Sequence, residues 1–413
     1  MAGLLIGAAP VVCLSGWPAA AELPTALFGA LCGIAAIRAA GCSPSPFQGE
    51  GGGEGLAWAR LAGIAGGLAL GTKYTGGLAV AASVAVLLAS RAWRPAAIVA
   101  GLSVAVSSPW FVKNAVLAGN PVFPYLGGVF GLGGYAPNDI ARFIAATTEA
   151  PVRSLWEGAR HLWVLSVGEP GAAAGLFLGS AFLLLLPMVF LTPLSRPLLL
   201  YVAVGVVGWL AATRLARYGL PVLPLVAILL ALAVDRAKGG LRVLAVGGLL
   251  FASWFNLYEI AKITYYASQG MRVTLGLETP QAFMNSGHVA GYTAPSQAVM
   301  AWANAHLPHD ALVLCLGEPR GAYLQRRFIA PSVYDRQPLA NWVKEARDPA
   351  GVAARLKQEG VTHLLVNEEL LRREGVERVL PWTVPERARF DAFAAVHLAP
   401  IYQEGAAVIY ALQ

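Results

Sequence analysis

Ala172–Leu191 is a run of 20 residues without a charged side chain. About 20 helical residues cross the hydrocarbon core of a bilayer. A backbone in lipid satisfies its own polar groups as a helix or as a closed barrel. One such run therefore restricts the chain to membrane architectures, and the rest of the sequence agrees. Of 413 residues, 57% are hydrophobic and 13% charged, against roughly 25% charged in a soluble domain. About nine apolar segments can be read, near 3–16, 24–40, 57–71, 75–90, 95–112, 173–192, 198–212, 217–234 and 240–258. Several are short enough to be tilted, broken or half-inserted. The expected fold class is an α-helical polytopic membrane protein over 1–258, followed by a small C-terminal α/β soluble domain over 259–413.

The core of that second domain starts near Pro295. "SQAVMAWANAHLP", "PAGVAARLKQEG" and "PERARFDAFAAVHL" have helical spacing, and "ALVLCLG" and "VTHLLVN" have the composition of buried strands. "APIYQEGAAVIYAL" is expected to form a terminal hairpin turning at Glu404–Gly405. "GEPRG" (Gly317–Gly321) follows a strand without GxGxxG spacing and reads as a turn. In the membrane half, "CSPSPFQGEGGGEG" (42–55) has almost nothing to pack and reads as a disordered insertion. Residues 113–172, with Tyr125, Tyr135, Trp156 and Trp163, suit a loop lying at the membrane interface.

Charge is unevenly placed. The net charge is +7; residues 1–258 hold 15 Lys and Arg against 8 Asp and Glu, and residues 259–413 hold 15 against 15. The basic excess therefore sits in the membrane half, where it suits orientation and contact with anionic lipid or phosphate. No basic tail or aromatic–basic patch points to nucleic acid. Cys13, Cys32, Cys42 and Cys315 are scattered without CxxC spacing and read as small hydrophobes, with no disulfide and no metal site. His306 and His309 lie three apart with no further ligand evident, and His161, His288, His363 and His397 are isolated. Placing the soluble domain outside puts Arg91, Arg94, Arg196, Arg236, Lys238 and Arg242 inside, as the positive-inside rule requires.

That topology gathers a polar set on the outer face. Glu22 lies in "SGWPAAAELP", Lys73 and Tyr74 in "GTKYTG", and Lys113, Asn114 and Asn120 in "SSPWFVKNAVLAGNPVFP". Arg214, Arg217 and Tyr218 lie in "TRLARYGLPVLP". Ionisable groups beside apolar spans are expensive and point first to function. Four cations on one face suit a phosphate or pyrophosphate, with Arg as a forked partner and Lys as a point charge. Taken singly, each also suits a snorkelling anchor, and Glu22 suits a cap for the helix beginning near Leu23. The prolines of "GNPVFP" and "GLPVLP" stop or kink helices, and broken helices are where membrane proteins place polar ligands.

"GLALGTKYTGGL", then "PWFVKNAVLAGNPVFP", then "RLARYGLPVLPLVAI" resemble bacterial GT-C-type membrane glycosyltransferases. These are relatives of protein O-mannosyltransferases and aminoarabinose transferases. The three motifs stand in the family's order and at similar spacing, and the C-terminal α/β domain resembles the outward domain of many members. The resemblance implies a polyprenyl-phosphate-linked sugar as donor and a lipid, glycan or protein as acceptor. The site would lie on the outer face of a bacterial inner membrane. Lys73, Arg214, Arg217 and Tyr218 would contact the donor phosphate, and Tyr74, Lys113, Asn114 and Asn120 would frame the cavity. Glu22 stands nearest to the family's acidic base. A divalent cation is the one cofactor the resemblance leaves open.

One departure bears on activity. The family carries its principal acidic residue in a first outer loop, but the first Asp here is Asp139, preceded among carboxylates by Glu22, Glu50 and Glu54. The expectation is a chain truncated before that loop; the alternatives are that catalysis has been lost or that Glu22 substitutes for the missing residue. A lipid-sugar transporter or flippase is the competing class, and a non-catalytic membrane scaffold is another.

Overall fold

A computed structural model describes residues 1–12, 21–41, 52–133, 135, 137, 140–141, 143–144, 152–167, 178–213, 215–262, 270–286, 296–331 and 335–413. The chain divides into two compact units, Met1–Lys262 and Ile263–Gln413.

The first unit is helical. Its main helices are α1 (Glu22–Gly41), α2 (Gly52–Thr72), α3 (Gly77–Ala89), α4 (Trp93–Ala118), α5 (Arg196–Ala212), α6 (Leu223–Arg236) and α7 (Gly239–Lys262). Three of them, α1, α4 and α7, are long and apolar enough to cross a membrane. Shorter helices, Ala2–Gly7, Ser180–Leu185 and Met188–Leu191 among them, occupy other apolar segments.

Small residues decide how closely these helices pack. A Cβ on Gly63 would lie 2.7 Å from Leu102 Cβ, and one on Gly67 would lie 2.5 Å from Val106 Cβ. Helix α2 therefore approaches α4 along a glycine line, as helices in membranes do where small residues recur every fourth position. The Ser103 hydroxyl donates across this seam to Gly63 O at 3.2 Å. On α1, a Cβ at Gly29 would sit 2.6 Å from Pro221 O, and Tyr201 Oη donates to Gly29 O at 3.3 Å. That contact brings the α5–α6 connection against the start of α1.

Several sequence expectations need correction. Gly52–Gly55 belong to α2, where Trp58 Nε1 donates to Glu54 Oε1 at 3.3 Å; the rest of the proposed insertion lies outside the described residues. Helix α4 does not end near Val112. It runs through Pro109 and on to Ala118, ending at Gly119 in the left-handed region (φ +65). Proline removes the hydrogen bond owed to the carbonyl four residues back. Here Ser108 Oγ donates to that carbonyl, Ala105 O, at 2.8 Å, so the helix continues. The 217–234 segment opens as a 3-10 turn, Ala216–Gly219, and becomes α-helical at Leu223. The long connection holds its own helix, Leu155–Val167, with Trp156 and Trp163 exposed.

The second unit is a three-layer α/β domain. Helix α8 (Gln297–His306) leads into β1 (Leu312–Leu316), and β2 (Arg327–Ile329) follows. Then come α9 (Pro338–Glu345), α10 (Pro349–Gln358), β3 (His363–Asn367), α11 (Val384–His397), β4 (Leu398–Glu404) and β5 (Ala407–Leu412). The sheet order is β2-β1-β3-β5-β4, with β1 parallel to β2 and β3, and β5 antiparallel to β3 and β4. All of β1 is buried, as central parallel strands are. Leu312, Leu314 and Leu316 pack with Leu339, Val343, Leu356 and Phe393 of α9, α10 and α11. Val313 and Cys315 pack with Val299, Met300 and Ala303 of α8. Burial pushes the Cys315 thiol up to about 12, so it stays protonated inside the core. Strand β2 and helix α9 carried no clear sequence signal; β2 has three residues and is largely exposed.

"GEPRG" is more than a turn. Glu318 is buried, accepts from the Ser296 hydroxyl and from Asn367 Nδ2 (3.0 Å), and pairs with Arg320 at 2.5 Å. The network ties the C-terminal ends of β1 and β3 to the start of α8. Removing one partner of a buried ion pair leaves the rest uncompensated. Arg320 retains some solvent, so Glu318→Ala is expected to cost about 2 kcal/mol locally, or roughly thirtyfold faster amide exchange. Hydrogen exchange of peptides spanning 312–316 and 363–367 measures this; unchanged rates would show that the network does not hold the sheet.

Candidate functional site

Glu22, Lys73, Arg217 and Tyr218 come from three separate elements and meet at one end of the helices. Glu22 is the first residue of α1. Lys73 follows α2 in an extended conformation (φ −159, ψ 141) and heads the turn Tyr74–Gly76. Arg217 and Tyr218 lie on the 3-10 turn between α5 and α6. Lys73 Nζ lies 2.5 Å from Glu22 Oε1, and Arg217 Nε lies 3.9 Å from the same oxygen. The Tyr218 ring takes both cations on its π system, with Lys73 Nζ at 4.3 Å and the Arg217 guanidinium carbon at 5.4 Å from its centroid.

The burial gradient gives this cluster its character. The Glu22 side chain is 7% exposed, Lys73 24% and Arg217 40%. The anion is innermost and the cations lead outward. Counted as one carboxylate and two cations, the cluster carries a net +1. Arg217 Nε is buried and makes no hydrogen bond. Burial lowers the Lys73 ammonium from its ordinary value, the Glu22 hydrogen bond and charge oppose the shift, and Arg217 adds to it. An entering anion would meet two cations and a spare N–H donor. One carboxylate beside two cations is a poor nest for a metal ion. Among the described residues, no group of three or more His, Cys, Asp and Glu side chains could hold one.

The sequence fixes each element locally. Gly76 packs directly on the Ala69 backbone, and the Lys73 N–H closes α2 on Ala69 O at 3.1 Å. Trp209 Nε1 donates to Leu215 O at 3.0 Å, Thr213 Oγ1 accepts from Leu215 N at 3.2 Å, and the Trp209 ring lies under Gly219. The Arg217–Tyr218 turn thus rests on an indole floor.

Beside the cluster, Tyr74 Oη donates to Phe123 O at 2.8 Å and accepts from Asn114 Nδ2 at 3.1 Å. The Tyr74 ring meets Tyr125 edge-on at 5.4 Å. Asn120 is fully buried. It donates to Tyr125 O (2.9 Å) and Gly131 O (3.0 Å) and accepts from Val122 N (3.0 Å), fixing the loop after α4. Tyr74, Asn114 and Asn120 therefore form one framework next to Lys73. Lys113 is not part of it. Successive helical residues point about 100° apart, so Asn114 turns inward while Lys113 is exposed over the Trp110 ring, 4.1 Å from its centroid. Arg214 lies outside the described residues. Sequence reasoning grouped Glu22 with Lys73 through the topology that puts both on the outer face, but it gave no sign of their direct pairing or of the Tyr125 contact.

No family model matches the chain, and no curated protein matches it. Among solved structures, the chain aligns with the crystal structure of ArnT from Cupriavidus metallidurans bound to undecaprenyl phosphate. The TM-score is 0.55 at 15% identity, over 99% of this chain and 78% of that one. The likeness is one of fold. This chain shares the overall fold of that structure, and it carries a small five-stranded sheet in its C-terminal unit.

Proposed function

We propose that the chain is a membrane glycosyltransferase that moves a sugar from a polyprenyl-phosphate carrier to a lipid, glycan or protein acceptor on the outer face of the membrane. The observation that carries this is the convergence of Lys73, Arg217 and Tyr218 around Glu22 in a GT-C-like fold. A structural neighbour is bound to undecaprenyl phosphate, and the cations here suit such a phosphate.

In the reaction, an acceptor hydroxyl oxygen bonds to the anomeric carbon while the bond from that carbon to the phosphate oxygen breaks. The bonding pair leaves with the carrier, whose phosphate gains negative charge. Lys73 and Arg217 stabilise that developing charge, as fixed donors do in transfer sites. The acceptor proton goes to a carboxylate, and Glu22 is the candidate. The donor phosphate competes with Glu22 for Lys73, so donor binding would free the carboxylate for this work.

Polyprenyl phosphate binding by the purified full chain tests the assignment. Lys73→Gln and Arg217→Gln should each weaken it at least about tenfold, the scale of one lost charge-assisted contact, with helical content unchanged. Normal binding by both variants would remove the phosphate site from this cluster.

A further inference from the structure

We propose that a recess between α2 and α4, with Lys113 at its mouth, binds an anionic phospholipid of the surrounding bilayer. The proposal goes beyond the glycosyltransferase reading and does not depend on it.

The recess follows from how the two helices part. A Cβ on Gly67 would lie 2.5 Å from Val106 Cβ, yet one on Gly71, a turn further on, would find nothing closer than Ser107 Cα at 3.7 Å. The seam is tight at Gly67 and open at Gly71. Pro109 lies in the same stretch of α4. The gap is a hollow of about 340 Å³ lined by Gly71, Val106, Ser107, Pro109, Trp110 and Lys113. Ser107 Oγ is turned back onto Ser103 O at 2.7 Å, so its wall offers little polarity. The result is an apolar trough with one cation at its edge.

Depth and charge identify the occupant. Trp93 and Trp110 are both exposed and 17 residues apart on one helix, or about 25 Å along its axis. That spacing suits the two aromatic belts of a bilayer. Lys113 lies one turn beyond Trp110, at headgroup level. Its contact with Trp110 leaves it without a carboxylate partner among the described residues. A lysine that served only to mark the headgroup level would need no trough beside it. A phospholipid fills both parts, with its phosphate on the ammonium and an acyl chain in the apolar gap. A lone ammonium with no carboxylate beside it among the described residues favours an anionic headgroup over a zwitterionic one.

Native mass spectrometry of the delipidated full chain tests this with phosphatidylglycerol and phosphatidylcholine of equal chain length. Wild type should hold one phosphatidylglycerol about fivefold tighter than phosphatidylcholine, the scale of one surface lysine. Lys113→Gln should abolish that preference. Gly71→Leu, which fills the trough and keeps the cation, should weaken both lipids, and Lys73→Gln should leave the preference intact. The proposal fails if Lys113→Gln and Gly71→Leu bind both lipids as wild type does. It also fails if Lys73→Gln removes the preference, or if millimolar inorganic phosphate displaces the lipid.

Discussion

Glu22→Gln should make the chain less stable, and polyprenyl phosphate should then stabilise the variant more than it stabilises wild type. The substitution keeps the size of the side chain and one acceptor for Lys73, but it removes the charge that lies 2.5 Å from Lys73 and 3.9 Å from Arg217. Two cations then face each other with no anion between them. Both keep some solvent, so the cost is modest, about 1 kcal/mol once screening is allowed for. A phosphate supplies the missing anion and no longer meets a carboxylate of its own sign. A ligand that binds the folded state stabilises by RT ln(1 + [L]/Kd), so tighter binding appears directly as a larger upward shift in Tm. If Glu22 also takes the acceptor proton, transfer should fall by about 10² or more, with KM for the donor falling together with kcat. That split is informative. A raised KM with unchanged kcat would mean that Glu22 holds Lys73 and Arg217 in a binding geometry and moves no proton. An unchanged phosphate-induced shift in Tm would remove Lys73 and Arg217 from phosphate binding altogether.

How far the sequence revealed this site depended on what each residue pays for its position. Glu22, Lys73 and Arg217 stood out because a charge beside an apolar span is costly, and that cost is visible without coordinates. Their mutual distances were not visible, because Glu22 and Lys73 are 51 positions apart and meet only through the packing of α1 on α2. Lys113 was grouped with Asn114 because they are neighbours in the chain. On a helix, that adjacency separates them, and α4 carries one inward and the other out to the Trp110 face. The apolar segment was ended at Val112 because the polar pair Lys113–Asn114 interrupts it, whereas the helix runs on to Ala118. In the second unit, β1 and β3 were legible as short apolar runs. Glu318 was not, since a buried carboxylate is written like any exposed one until Ser296, Arg320 and Asn367 close around it.

Gly76→Ala should separate the packing of the site from its chemistry more sharply than any change of charge. Gly76 ends the three-residue turn after Lys73, and a Cβ there would sit 2.3 Å from both the carbonyl carbon and the oxygen of Ala69. Those atoms are backbone and cannot swing aside. The same Ala69 oxygen accepts the Lys73 N–H at 3.1 Å, and the Lys73 carbonyl accepts the Gly76 N–H at 2.9 Å. One methyl group must therefore lever the turn away from α2 and break the hydrogen bond that sets where Lys73 leaves the helix. Overpacking of this kind costs about 1–3 kcal/mol or more. Because Lys73 moves with the turn, binding should fall by far more than stability does. A displacement of about 1 Å at a positioned group can cost on the order of 10²-fold. Gly77→Ala is the matched control: its Cβ would meet Leu70 Cδ1 at 3.5 Å, an ordinary contact, in a residue already helical (φ −58). Thermal unfolding and polyprenyl phosphate binding, measured on both variants, should show a folded but weakly binding Gly76→Ala beside a near-normal Gly77→Ala. Equal binding by the two would mean that the turn does not set the position of Lys73, and the cluster around Glu22 would then owe its geometry to α1 and the Arg217–Tyr218 turn alone.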